Sequence, residues 1–146
     1  MFARDAKPQL IQEYVNAGKV RYILKHFPFL GDESYYAAEG TECAGEQGQF
    51  WEFHDLLVSR WQGEGVGTFL PEKLKGYAQE LGLDGQAFAA CLDSRKYEAA
   101  VLADRRQGME AGVKYTPTLF LNGKLMSAPR DYGELRSLIE AELAGQ

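Results

Sequence analysis

The sequence predicts an α/β protein in which strand-forming segments near the two ends flank a block of helices. Three observations carry this. Val20–Leu24 alternates loosely between apolar and polar residues and reads as a strand. The stretch from Ser34 to Ala111 is divided by glycines, prolines and cap residues into consecutive helical patterns. Gly112–Gly123, GVKYTPTLFLNG, reads in order as a helix stop, a Thr-Pro-Thr turn, a short buried strand and an Asn-Gly two-residue turn. At 146 residues the chain is one domain by length.

The elements follow in order. Phe2 to Val15 is helical, with Phe2, Ala6, Leu10 and Tyr14 recurring on one face and a kink expected at Pro8. No N-cap signal precedes it, and Gly18 ends it. The strand Val20–Leu24 leads into a loop at His26-Phe27-Pro28-Phe29. Ser34 can cap a helix reaching Gln47, which Gly48 breaks. A second helix of the block runs from Phe50 to Arg60, and the glycines of Gln62–Thr68 mark a mobile surface loop. Pro71 at the first helical position opens a third helix, ending near Gly82. Asp84 caps a short helix through Leu92, and Tyr97 to Ala111 forms a long one closed by Gly112. Thr116 precedes Pro117 and is biased away from helix. Thr118–Leu121 and Lys124–Ser127 then form a hairpin. Asp131 caps the last helix with Glu134 at capping-box spacing, and Tyr132, Leu135, Leu138, Ile139 and Leu143 give it one apolar face.

Composition excludes several classes. Hydrophobic residues make up 45% of the chain, enough for a packed core and too many for a disordered segment. The net charge of −5 and the absence of a basic patch speak against nucleic acid as a partner. No apolar run approaches the ~20 residues that span a bilayer, so membrane insertion is not expected. No internal repeat, linker or signal peptide is visible, and Met1-Phe2-Ala3-Arg4-Asp5 runs straight into a charged helical pattern.

Four blocks of sequence resemble one family. They are Tyr14–Tyr22 with His26-Phe27-Pro28, then Glu42-Cys43-Ala44-Gly45-Glu46-Gln47-Gly48-Gln49-Phe50-Trp51-Glu52-Phe53-His54-Asp55, then Phe88-Ala89-Ala90-Cys91-Leu92, then the Thr-Pro-Thr loop. Taken in this order they resemble DsbA-like thiol-disulfide oxidoreductases. The resemblance implies a thioredoxin-like fold with an inserted helical subdomain. Residues 1–30 and 112–146 would form the thioredoxin core and 31–111 the insertion. The element order matches once a first core strand is taken as lacking. The chain therefore resembles a family member that begins just downstream of the Cys-x-x-Cys motif.

The resemblance also implies the site. In this family the dithiol opens the first core helix, where the helix dipole and unpaired N–H groups stabilise the thiolate. The two cysteines here are not at that spacing, so no catalytic residue is assigned. Thr116 and Pro117 correspond to the cis-proline loop that bonds an extended substrate. Tyr115 stands where the family pattern has Gly and adds to the expected substrate-binding set. Cys43 and Cys91 leave three readings: a structural disulfide like those of some family members, two buried thiols, or a reactive site. His54 is expected to pair with Glu46 or Asp55, and His26 to be a loop residue. Trp51, Phe50 and Phe53 read as helix-packing residues. No spacing suits a metal, and no cofactor is implied.

The function implied by family is formation or exchange of protein disulfides on extended, cysteine-containing polypeptides, with this chain inactive alone. The alternatives are a non-catalytic peptide-binding module using the cis-proline groove and a glutathione-transferase or isomerase relative on the same fold. The family implies a periplasmic or other extracytoplasmic location; a natural start at Met1 would instead imply the cytoplasm. A missing central strand would leave two rows of backbone groups unpaired, so a homodimer completing the sheet is expected.

Overall fold

Helix signals in the sequence are followed closely by the structure, a computed structural model that describes residues 2–126, 129 and 131–145. Its elements are helices α1 (Phe2–Leu10), α2 (Asp32–Gly45), α3 (Phe50–Arg60), α4 (Pro71–Glu80), α5 (Gly85–Asp93), α6 (Glu98–Glu110) and α7 (Tyr132–Ala144), and strands β1 (Phe120–Leu121) and β2 (Lys124–Leu125). They fall into two compact units. One comprises residues 1–24 with 112–146, and the other residues 25–111.

In the first unit α1 continues through Pro8, and the chain departs from α geometry later than expected. Ile11–Val15 form a π-helical segment in which the Asn16 N–H bonds the Ile11 carbonyl at 2.9 Å. Ala6, Leu10 and Tyr14 are buried with Leu135 and Ile139 of α7. Val20, Tyr22, Leu119, Leu121 and Met126 pack against this cluster. The last helix is capped as its sequence predicts: the Asp131 carboxylate accepts the Glu134 N–H at 2.9 Å. The hairpin turn places Asn122 and Gly123 at φ 49° and 78°, the pair of positive values a two-residue primed turn requires.

Two strand expectations are corrected. The hairpin ladder is short, with Phe120 opposite Leu125 and Leu121 opposite Lys124. One further backbone bond joins the Met126 N–H to the Leu119 carbonyl at 2.9 Å. The predicted end of the second strand, Ser127, lies outside the described residues. Val20–Leu24 is not in a ladder among the described residues, although its burial alternates with the period of two expected of a strand. Residue pattern sets that alternation. A ladder also requires a neighbouring strand, and β1 and β2 pair with each other.

In the second unit a cluster of Cys43, Ala44, Phe53, Leu57, Leu74, Ala78, Phe88 and Leu92 forms the core. Gly40 of α2 faces this core: a Cβ there would sit at ordinary contact distance, 3.4 Å from the Phe53 ring and 3.5 Å from both Leu74 and Phe88. The Phe53 and Phe88 rings meet at 5.3 Å between centroids. α2 starts two residues before Ser34, whose hydroxyl donates to the Gly31 carbonyl at 2.8 Å. α5 is capped by Asp84, which accepts from the N–H groups of Gln86 and Ala87 at 3.0 Å each. The end of the Gln62–Thr68 loop is anchored, because the Glu33 carboxylate accepts the N–H groups of Gly67 and Phe69 at 2.9 Å each.

Candidate functional site

The first unit contains an open groove of about 550 Å³, lined by Phe2, Asp5, Ala6 and Gln9 of α1, by Pro117 and Pro129, and by Asp131, Tyr132 and Gly133 where α7 begins. Sequence periodicity explains its α1 wall. Ala6 and Leu10 turn one face of α1 into the core, which leaves Asp5 and Gln9 on a more exposed side. The Asp131 cap fixes the start of α7 and so the opposite wall.

The Thr116–Pro117 peptide bond is cis. Thr118 Oγ1 donates to the Tyr115 carbonyl and closes the loop on itself. Of the three substrate-binding residues expected from sequence, Pro117 lines the groove. Thr116 and Tyr115 are exposed on the same loop, Tyr115 to 54%, and neither is part of the groove lining. Sequence reasoning missed Phe2, Asp5, Gln9 and Tyr132 as groove residues. The apolar period of α1 and the capping box of α7 were the available signals, and both report packing rather than a groove.

Tyr132 gives the groove wall its one strongly shifted group. Burial first, and the neighbouring Glu13 carboxylate second, push its hydroxyl up to about 12. The folded state therefore favours the neutral phenol. Its contribution to stability is complete below the ordinary tyrosine value of about 10 and is lost as pH rises through about 12. Tyr132→Phe should remove this part of the alkaline destabilisation. Urea unfolding of both proteins at about pH 9 and about pH 11 checks it, and equal losses for the two would refute the assignment.

The remaining predicted residues lie in the second unit. Cys43 and Cys91 are joined in a disulfide with Cα atoms 5.9 Å apart, and both are buried. No free cysteine exists in the chain. His54 pairs with Asp55 at 2.8 Å rather than with Glu46, which accepts from Lys96 and Tyr97. His26 is in a loop, and its ring bonds Glu42 at 2.8 Å. Phe53 is a core residue, whereas Trp51 is 37% exposed and meets Phe50 edge-on. Among the described residues no group of three or more His, Cys, Asp or Glu is placed to hold a metal, and no helix is long and apolar enough to cross a membrane.

An exposed loop with a cis proline stands at an open groove, and one wall of that groove is the flank of α1. The residues present supply no thiolate there, because both cysteines are bonded to each other in the second unit.

A family model described as thioredoxin matches residues 1–141. Na(+)/H(+) antiporter NhaA 1 of Salinispora arenicola is 34% identical over 145 residues, which are 98% of this chain and 21% of the antiporter. The probable disulfide bond formation protein D of Bacillus anthracis is 29% identical over 140 residues, covering 93% of this chain and 64% of that protein. The chain thus spans about a fifth of the length of the antiporter and just under two thirds of that disulfide protein. Among solved structures, oxidised BdbD from Bacillus subtilis superposes with a TM-score of 0.89 at 24% identity, over 99% of this chain and 80% of BdbD. Chlamydia trachomatis DsbA gives 0.82 at 18% identity, over 99% and 80%.

Proposed function

This chain belongs to the thioredoxin family, in its DsbA-like branch of disulfide oxidoreductases, and from that premise we propose that it serves thiol-disulfide exchange by holding an extended, cysteine-containing polypeptide in the Pro117 groove. The observation that carries the reading is the groove itself, where the cis Thr116–Pro117 loop stands beside the flank of α1. Backbone groups of Thr116 would bond the substrate main chain, as a strand edge bonds an added strand. Tyr115, with no counterpart in the family pattern, would place an aromatic ring against a substrate side chain.

Exchange proceeds by attack of a thiolate on a disulfide sulfur through a mixed disulfide. Residues 1–146 hold no cysteine outside the Cys43–Cys91 bond. The chain of 146 residues is therefore expected to bind peptide without turnover. Insulin reduction by the purified chain should stay at background, while a fluorescent extended cysteine peptide binds and loses affinity on Pro117→Ala. Turnover at an enzymatic rate would assign the chemistry to Cys43 or Cys91. Absence of peptide binding would sink the groove.

The buried disulfide supports an extracytoplasmic location, where such bonds persist. The described sheet has two strands, and one edge of β1 faces no further strand among the described residues. A strand donated there by a second copy would complete it. Sedimentation at low concentration tests this, and a stable monomer would overturn it.

A further inference from the structure

Three links join α2 to α5 and the turn that follows it, along one seam of the helical unit. Glu39 and Cys43 are four residues apart and share a face of α2. Cys91 and Arg95 are four apart across the end of α5. Cys43 is bonded to Cys91, and Arg95 grips Glu39 through Nε and Nη2, both at 2.7 Å. The guanidinium also lies 5.2 Å from the centre of the Tyr36 ring, one turn earlier on α2. On the other side of the disulfide, Glu46 accepts from Lys96 and Tyr97. The covalent bond is thus flanked by an ionic contact on each side.

The Glu39–Arg95 contact is built differently from the surface pairs of the chain. Glu39 is 1% exposed, so its charge has left water and depends on a bidentate guanidinium. Arg95 itself sits at φ 54° just past the α5 cap, the left-handed conformation in which many helices end and which is uncommon for residues other than glycine. A slip or rotation of α2 against α5 would strand a buried carboxylate, which is strongly disfavoured. A polar pair with one buried member adds a directional constraint to the non-directional attraction between apolar helix faces.

We propose that Glu39–Arg95 is a register latch that keeps Cys43 and Cys91 facing one another when their disulfide is reduced, so that the bond re-forms without unfolding. Reduction begins when an external thiolate attacks one sulfur, forming a mixed disulfide and releasing the other cysteine as a thiolate. A second external thiolate then attacks the mixed disulfide, leaving two cysteine thiols and one small disulfide. Reoxidation runs in reverse. A small disulfide accepts attack by one cysteine thiolate and loses one small thiol, and the other cysteine then displaces the second. That last displacement is intramolecular, and its effective concentration depends on how narrowly the backbone holds the two sulfurs. Cys43 is 1% and Cys91 5% exposed, so the external steps need a local opening that the latch allows to close in register.

The test equilibrates the whole 146-residue chain in reduced and oxidised glutathione, traps thiols by alkylation and measures the effective concentration of the Cys43–Cys91 pair. The variant is Glu39→Met with Arg95→Met, because apolar residues of similar size remove the directional contact without leaving the buried Glu39 carboxylate unpaired. The control is Leu57→Ala, a core truncation in the same unit on α3, outside α2 and α5. The double variant is expected to lower the effective concentration by about tenfold, and Leu57→Ala by less than about twofold. A double variant with the native value overturns the latch. An equal fall in the Leu57→Ala protein does so too, because stability rather than register would then set the value. Should the double variant unfold on reduction, Arg95→Lys carries the test. It keeps the charge and loses the fork, and an unchanged effective concentration would refute the proposal.

Discussion

Phe53→Ala is expected to destabilise the helical unit by about 3–5 kcal/mol, a large share of the about 5–15 kcal/mol that a folded domain has to lose. Phe53 is fully buried, and its ring meets Phe88, itself fully buried, at 5.3 Å. The disulfide holds α2 against α5, which limits how far the helices can move in to fill the space. The truncation therefore incurs both the lost transfer energy and the cavity that remains. Urea unfolding followed by far-ultraviolet circular dichroism reads the loss. Phe50→Ala, at a partly exposed position three residues away, should lose clearly less. A loss below about 1 kcal/mol for Phe53→Ala would mean that this core collapses freely around the truncated side chain.

The features legible in the sequence were those set by residues a few positions apart. The bounds of α3, the Pro71 start of α4, and the Asp84 and Asp131 caps all follow from contacts within one turn, and the structure places each within a residue or two of its signal. Features set over long range were not legible. Val20–Leu24 carries a strand's alternation, but no local pattern states whether a neighbouring strand is there to pair with. The Tyr14 hydroxyl donates to Glu140 across 126 residues, and Arg95 reaches Glu39 across 56. Neither pair has a spacing that marks it. The groove was half legible. Pro117 stood out because a Thr-Pro-Thr turn interrupts the pattern, whereas Asp5 and Gln9 are ordinary polar residues of an amphipathic helix until α7 is placed opposite them. The cysteines show the same limit. Spacing alone left a disulfide, buried thiols and a reactive site open, and only the packing of α2 on α5 brings the two sulfurs together.

Replacing both Cys43 and Cys91 by alanine is expected to lower stability by roughly 4 kcal/mol while leaving the folded helical unit intact. The bond closes a loop of 48 residues in sequence separation, and in the chain-entropy view its effect lies mostly in the unfolded state, which the link keeps from expanding. The folded state retains the other two contacts of the seam, Arg95 with Glu39 and Lys96 with Glu46, so helix content and native exchange protection of α2 and α5 should survive. An unfolded chain freed of its crosslink exposes more surface, so the slope of the urea transition should rise along with the fall in its midpoint. That pair of changes separates the two ways a disulfide can act. A fall in midpoint with an unchanged slope and lost protection in α2 would place its effect in native packing instead, and would also remove the basis for a seam that holds its register when reduced. Refolding gives the same distinction from kinetics: if the bond restrains mainly the unfolded chain, its loss should slow folding and leave unfolding nearly unchanged, because the native contacts that must break first are still present.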